Sequence, residues 1–158
     1  MRKTFADALL HEAKRNSNIV LVTGDLGFLV WDQLKEELPS QYINTGAAEQ
    51  AACGICVGLA LSNKIPVFYS ITPFLLCRPF ETIRNYINQE RVPVILVGSG
   101  RDHDYAHDGF SHYAGDDKEI MKLFPNIKCY WPKTKEEIPM LLKSILQSGD
   151  PSYINLSR

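Results

Sequence analysis

The chain has 158 residues, 45% of them hydrophobic and 10% aromatic, with 18 acids against 17 lysines and arginines for a net charge of −1. That is one domain's length with enough apolar residues for a real core, and it carries no basic face for nucleic acid or for an acidic membrane surface. The longest apolar run, around Ile55 to Leu61, is too short to span a membrane, and Met1-Arg2-Lys3-Thr4-Phe5 lacks the apolar core of a signal peptide, so a cytoplasmic location is expected.

Phe5, Ala8, Leu9 and Ala13 recur at helical spacing, with Asp7, Glu12 and Lys14 on other faces. Asn16-Ser17-Asn18 ends that helix. Ile19-Val20-Leu21-Val22 is an unbroken apolar run, as in a strand buried on both faces. It stops at Thr23-Gly24-Asp25-Leu26-Gly27, a turn with one acid, at what would be the carboxyl edge of a sheet. α/β proteins bind ligands at that edge. A short helix over 31–38 and a short strand over 41–44 follow.

Asn44-Thr45-Gly46-Ala47-Ala48-Glu49-Gln50 leads into a helix expected over 47–61. This helix is apolar nearly all round, so it should be covered on most sides, in part by a second protein surface. Its first turn carries one carboxylate, Glu49, among residues too small to shield it. An unpaired buried carboxylate is expensive, so Glu49 is solvated, paired or kept for a ligand. The plain alternative is an acid placed at the positive end of a helix dipole. Cys53 and Cys56 form a C-x-x-C in the helix interior, away from the first turn that would stabilise a thiolate. With Cys77 and Cys129 they read as buried small hydrophobes, with no zinc-like spacing.

Residues 66–71 form the next strand. Pro73 suits a first helical turn, and the pattern Phe74, Leu75, Phe80, Ile83, Tyr86-Ile87 continues that helix, with Arg78, Glu81 and Arg84 among them. Val92-Pro93-Val94-Ile95-Leu96-Val97 is a strand closed by Gly98-Ser99-Gly100. No dinucleotide fingerprint results, because His103 stands where the third glycine would be. Residues 101–115 form a polar loop rich in His, Asp and Gly, a length usually kept for function. Asp116 is placed to cap a helix through Leu123, residues 127–131 read as a strand, and Thr134 with Glu137 makes a capping box for a helix to about Leu146. Residues 151–156 are a last strand. The alternation gives a doubly wound, mostly parallel six-stranded α/β sheet with helices on both faces, in one domain over 1–158.

Gly24-Asp25-Leu26, Asn44-Thr45-Gly46-Ala47-Ala48-Glu49-Gln50, Phe74 with Arg78-Pro79-Phe80, Ile83-Arg84-Asn85 and Asp108-Gly109-Phe110-Ser111-His112 occur in that order, and Tyr153-Ile154-Asn155-Leu156-Ser157-Arg158 follows at the end. Together they resemble the pyrimidine-binding domain of transketolase-like thiamine diphosphate enzymes, over nearly the whole chain. The resemblance implies that Glu49, protonated in a dry pocket, bonds N1′ of the cofactor's pyrimidine and so favours the imino tautomer that removes the thiazolium C2 proton. It implies that Phe74 and Phe80, at a spacing that can share a helix face, bed the pyrimidine, that Leu26 supports the folded cofactor, and that Asp25 and Arg78 line the same site. His112 is implied as a catalytic residue meeting substrate hydroxyls, with Asp108 and His103 as further contacts to a small sugar substrate. A further histidine of the family's loop falls at Gly100 here, with Arg101 and His103 nearby.

The family's diphosphate site uses a G-D-G motif and an Asn that hold magnesium. No G-D-G occurs here, and Gly149-Asp150-Pro151 reads as a turn. The resemblance therefore implies a split enzyme. A separate subunit would hold Mg2+ and the diphosphate, this chain would lack the family's C-terminal domain, and a homodimer contact through the Glu49 helix would sit within an α2β2 assembly. The expected reaction is transfer of a two-carbon ketol unit between sugars or their derivatives. A decarboxylating relative, or a non-catalytic regulatory or assembly subunit of the same fold, are the alternatives.

Overall fold

The structure, a computed structural model, describes residues 1–158. Helix α1 (Arg2–Ala13) precedes β1 (Ile19–Thr23), then come α2 (Asp32–Glu37), β2 (Tyr42–Asn44), α3 (Glu49–Leu61) and β3 (Ile65–Ile71). The second half holds α4 (Thr72–Cys77), α5 (Phe80–Thr82), β4 (Ile95–Ser99), α6 (Asp117–Met121), β5 (Lys128–Tyr130), α7 (Ile138–Ser148) and β6 (Ser152–Leu156). The six strands form one sheet in the order β2-β1-β3-β4-β6-β5, and every pairing is parallel. The alternation read from the sequence is therefore the topology of the chain. No helix is long and apolar enough to cross a membrane.

Successive side chains of a strand point to opposite faces, and both faces of this sheet are covered. Val20, Val22, Phe68 and Leu96 join Ala52, Cys53 and Cys56 of α3, Leu75 and Leu76 of α4, and Met121 of α6 in one core layer. Ile19, Leu21, Val67, Tyr69, Ile95 and Val97 join Phe5 and Leu9 of α1, Trp31 and Leu34 around α2, and Ile138, Leu142 and Ile145 of α7 in the other. Each large apolar side chain among them, fully buried, contributes about 1.5–3 kcal/mol.

Three local expectations need correction. The helix starting at Pro73 is not continuous. Pro73 does occupy the first turn of α4, but Pro79 ends it, since proline offers no N–H and crowds the preceding turn. The chain resumes as α5 and then widens into a π-helical stretch, Ile83–Gln89. Asp116 makes no side-chain cap at α6. The next residue, Asp117, is buried instead and accepts hydrogen bonds from Trp131 Nε1 at 2.7 Å and Tyr153 Oη at 2.9 Å. Of the cysteines, Cys53 and Cys56 are fully buried, whereas Cys77 is exposed where α4 runs out and Cys129 is half-buried. Burial pushes the Cys53 thiol up to about 12 and Cys56 upward as well, which makes the C-x-x-C an inert piece of core. The capping box at Thr134 forms, with the Thr134 N–H donating to Glu137 Oε1 at 2.9 Å.

Candidate active site

All the strands run the same way, so every turn that follows a strand lies along one edge of the sheet. The turn after β1 brings Gly24, Asp25 and Leu26 there. The turn after β2 delivers the start of α3, β3 delivers α4, and β4 delivers the loop over 100–115. The chain turns from β1 outward to β2 and then crosses back to β3, so the crevice beside β1 is a topological switch point. Glu49, the first residue of α3, stands beside that crevice.

Glu49 is 2% exposed. Of the states open to a buried acid, solvated, paired or kept for a ligand, the free chain shows it paired. Arg78 Nη1 donates to Glu49 Oε2 at 2.6 Å, and Ser70 Oγ donates to Oε1 at 3.3 Å. A buried carboxylate without a partner would cost several kcal/mol, and the guanidinium supplies the missing charge. Sequence reasoning misses Ser70; its one signal is a small hydroxyl side chain beside Tyr69 in a mostly apolar, buried strand. Gly24 is the floor of the site. A Cβ there would stand 3.1 Å from the Gly46 carbonyl oxygen and 3.7 Å from Glu49 Oε1, so a bare backbone lets β1 approach the acid.

Arg78 ties two predicted residues together. Its Cζ lies 3.7 Å from the centroid of the Phe74 ring, a cation–π stack, and the other neighbour of that ring is His112, edge-on at 4.8 Å. Glu49, Arg78, Phe74 and His112 thus form one contiguous group drawn from α3, α4 and the β4 loop. Phe80 does not join it. Pro79 breaks the helix between the two aromatics, so the expected shared face is absent, and Phe80 packs on Phe124 at 5.2 Å.

The remaining predicted residues are dispersed along the same edge. Asp25 is exposed in its turn, and Leu26 is half-buried against the α1 side of the core. Asp108 pairs with His107 at 3.2 Å. His103 packs on Tyr113 at 5.0 Å and, with Asp102, Ala106, Gly109, Phe110 and Tyr113, lines a cavity of about 350 Å³. His103 and His112 therefore face different surroundings. No group of three or more His, Cys, Asp or Glu side chains is arranged to hold a metal ion.

The β4 loop is fastened at its root. Gly100 has φ +89°, and a Cβ on it would strike the Tyr105 ring at 2.4 Å. Tyr105 Oη lies 3.0 Å from Ser99 Oγ and accepts from Arg2 Nη1 at 3.0 Å. Asp104 Oδ2 accepts from the backbone N–H groups of Arg101 and Arg158. Beneath, buried Thr72 donates to the Gly100 carbonyl at 2.7 Å and accepts from Asn155 Nδ2 at 3.1 Å. Tyr105 and Thr72 carried no sequence signal beyond ordinary polarity, because their partners Arg2 and Asn155 are distant along the chain.

Comparison with known proteins agrees with this geometry. The family model described as transketolase, pyrimidine binding domain, matches residues 1–158. A putative transketolase C-terminal section from Methanocaldococcus jannaschii is 29% identical over 159 residues, covering 100% of this chain and 50% of the relative. An apulose-4-phosphate transketolase subunit from Phocaeicola vulgatus is 29% identical, covering 99% of this chain and 51% of the relative. A solved split-gene transketolase, in an inactive β4 tetramer, superposes with a TM-score of 0.87 at 27% identity, over 99% of this chain and 51% of that one. The chain spans about half the length of these relatives. With the parallel sheet, the buried acid opening α3 and the full-length match in agreement, the chain belongs to the transketolase pyrimidine-binding domain family.

Proposed function

We propose that this chain is the pyrimidine-binding part of a thiamine diphosphate-dependent, transketolase-like transferase, and that it works only with a separate chain that holds the diphosphate through Mg2+. The observation that carries the reading is Glu49, an acid 2% exposed at the carboxyl edge of the sheet, joined through Arg78 to the face of Phe74. The residues present fit a planar nitrogen base, because the Arg78 guanidinium already sits over the Phe74 ring with a nitrogen on Glu49. When bound, thiamine diphosphate supplies the carbon nucleophile that accepts a two-carbon ketol unit from a sugar. Glu49 holds a proton at N1′, Phe74 bears the ring face, and Leu26 supports the cofactor from the β1 turn, with Asp25 beside it. His112, packed on Phe74, offers its imidazole to substrate hydroxyls, and Asp108 and His103 extend the polar lining of the loop.

Two further features support a two-chain enzyme. The outer face of α3, with Ala51, Gly54, Gly58 and Leu61 on it, is apolar and small enough for close approach by a partner or a symmetry mate in an α2β2 assembly. The split-gene neighbour forms an inactive β4 tetramer, the behaviour expected of this chain without its partner. Four free thiols suit the reducing cytoplasm, and the relative named for apulose-4-phosphate suits a sugar phosphate donor. The test is co-expression with a chain that bears G-D-G, followed by a screen of ketose donors with thiamine diphosphate and magnesium. Activity should require both chains and vanish with Glu49→Ala while assembly persists. Robust turnover by this chain alone would refute the two-chain reading.

A further inference from the structure

We infer that the Arg78 guanidinium is a built-in occupant of the pyrimidine subsite, an internal competitor that closes the site in the free chain. The inference rests on reading Glu49 and Phe74 as the place where the pyrimidine lies. A guanidinium and the edge of an aminopyrimidine share a planar N–C–N unit. Arg78 makes with that unit the two contacts the pyrimidine needs: a face on Phe74, with Cζ 3.7 Å from the centroid, and a nitrogen 2.6 Å from Glu49 Oε2. A separation of 3.7 Å is one van der Waals thickness, so this face of Phe74 cannot carry both planes at once.

Arg78 is also free to leave. The Glu49 carboxylate is the one hydrogen-bonding partner of its guanidinium, and the side chain is 45% exposed. Arg78 follows α4 and precedes Pro79, so no helix has to unwind for the side chain to swing out. Departure changes the charge of the site. Opposite Arg78, Glu49 is an ionised acceptor; opposite a pyrimidine nitrogen, itself an acceptor, Glu49 must be the donor. The apparent affinity of the free chain for the ring is reduced by the fraction of molecules in which Arg78 stands aside.

Isothermal titration of thiamine, which carries the pyrimidine without the diphosphate, into the full chain tests this. Arg78→Met keeps the apolar stem and removes the head, and it should bind thiamine about tenfold tighter than wild type. Arg78→Lys keeps the charge and the fold but cannot stack flat, and it should gain a few-fold. Adding Glu49→Gln to Arg78→Met should erase the gain. Equal or weaker binding by both Arg78 variants, with circular dichroism unchanged, overturns the competitor. If the wild type then still binds and Glu49→Gln abolishes it, the pyrimidine site itself survives. Absence of binding to every variant at millimolar thiamine also overturns the competitor, and the transferase reading is then judged by the two-chain assay alone.

Discussion

Two acids are buried along the same edge of the sheet, and they are held in opposite ways. Asp117, 4% exposed beyond β4, accepts from two neutral donors that are themselves part of the core, Trp131 Nε1 and Tyr153 Oη. Burial and the neighbouring Asp117 push the Tyr153 phenol well above its ordinary value, so it remains a donor at any physiological pH. Glu49, beside β1, is balanced chiefly by Arg78, a long side chain nearly half in water. The first arrangement is closed, since moving any member strands the others. The second is open, since the cation can return to solvent when a ligand takes its place at the acid. A buried acid is thus a structural element or a reactive one according to whether its partner can leave.

Glu49→Gln gives the sharpest contrast. Ketol transfer by the reconstituted enzyme should fall about 10³-fold, or about 4 kcal/mol, the range of a lost acid–base group. Urea unfolding should meanwhile move by about 1 kcal/mol or less, because glutamine removes the buried charge, keeps an acceptor oxygen for Arg78 and Ser70, and leaves a cation that is already 45% exposed. A parallel loss of stability would place Glu49 in the same class as Asp117. Asp117→Ala should do the reverse. It strands two buried donors and should cost about 3 kcal/mol in urea unfolding, with turnover per folded molecule unchanged. Asp117→Asn, which keeps an acceptor oxygen, should recover part of that loss.

Gly100→Ala tests the root of the loop that carries His112. A side chain at φ +89° and a clash with Tyr105 at 2.4 Å should cost about 2 kcal/mol and should lower turnover too, because Tyr105 is the loop's anchor. Unchanged turnover would detach His112 from the chemistry. The last effect is alkaline. The Cys53 thiol ionises near 9.0 in the unfolded chain but is pushed up to about 12 in the fold. Its contribution is therefore intact below pH 9.0 and is lost as pH rises toward 12, with a slope of about 1.4 kcal/mol per pH unit. Cys53→Ala should flatten stability curves in that window by this amount, and iodoacetamide at about pH 8, below the ordinary thiol range, should label Cys77 before Cys53.

Much of the site's location was legible in the residues. An unbroken apolar run ending in Gly24-Asp25-Leu26, and an apolar helix opening on Glu49, put an acid at the ligand-binding edge because strand direction and helix start are local matters of pattern. Less legible was the company each residue keeps. Phe74 and Phe80 share a helical face by spacing alone, yet Pro79 separates them, and Asp116 has the place of a cap while Asp117 is the buried hub. His103 and His112 belong to one loop yet pack on Tyr113 and Phe74 respectively.

By itself, the sequence determined the parallel α/β layering, the burial of the inner face of α3 and the position of Glu49, since hydrophobic period and turn residues act over a few neighbours. Only the tertiary structure decided that Arg78 would neutralise Glu49, that Phe74 would lie between Arg78 and His112, and that Asp117 would be gripped by Trp131 and Tyr153. Those contacts join residues brought together by the order of strands in the sheet, and a charge chooses its partner by distance in space rather than along the chain.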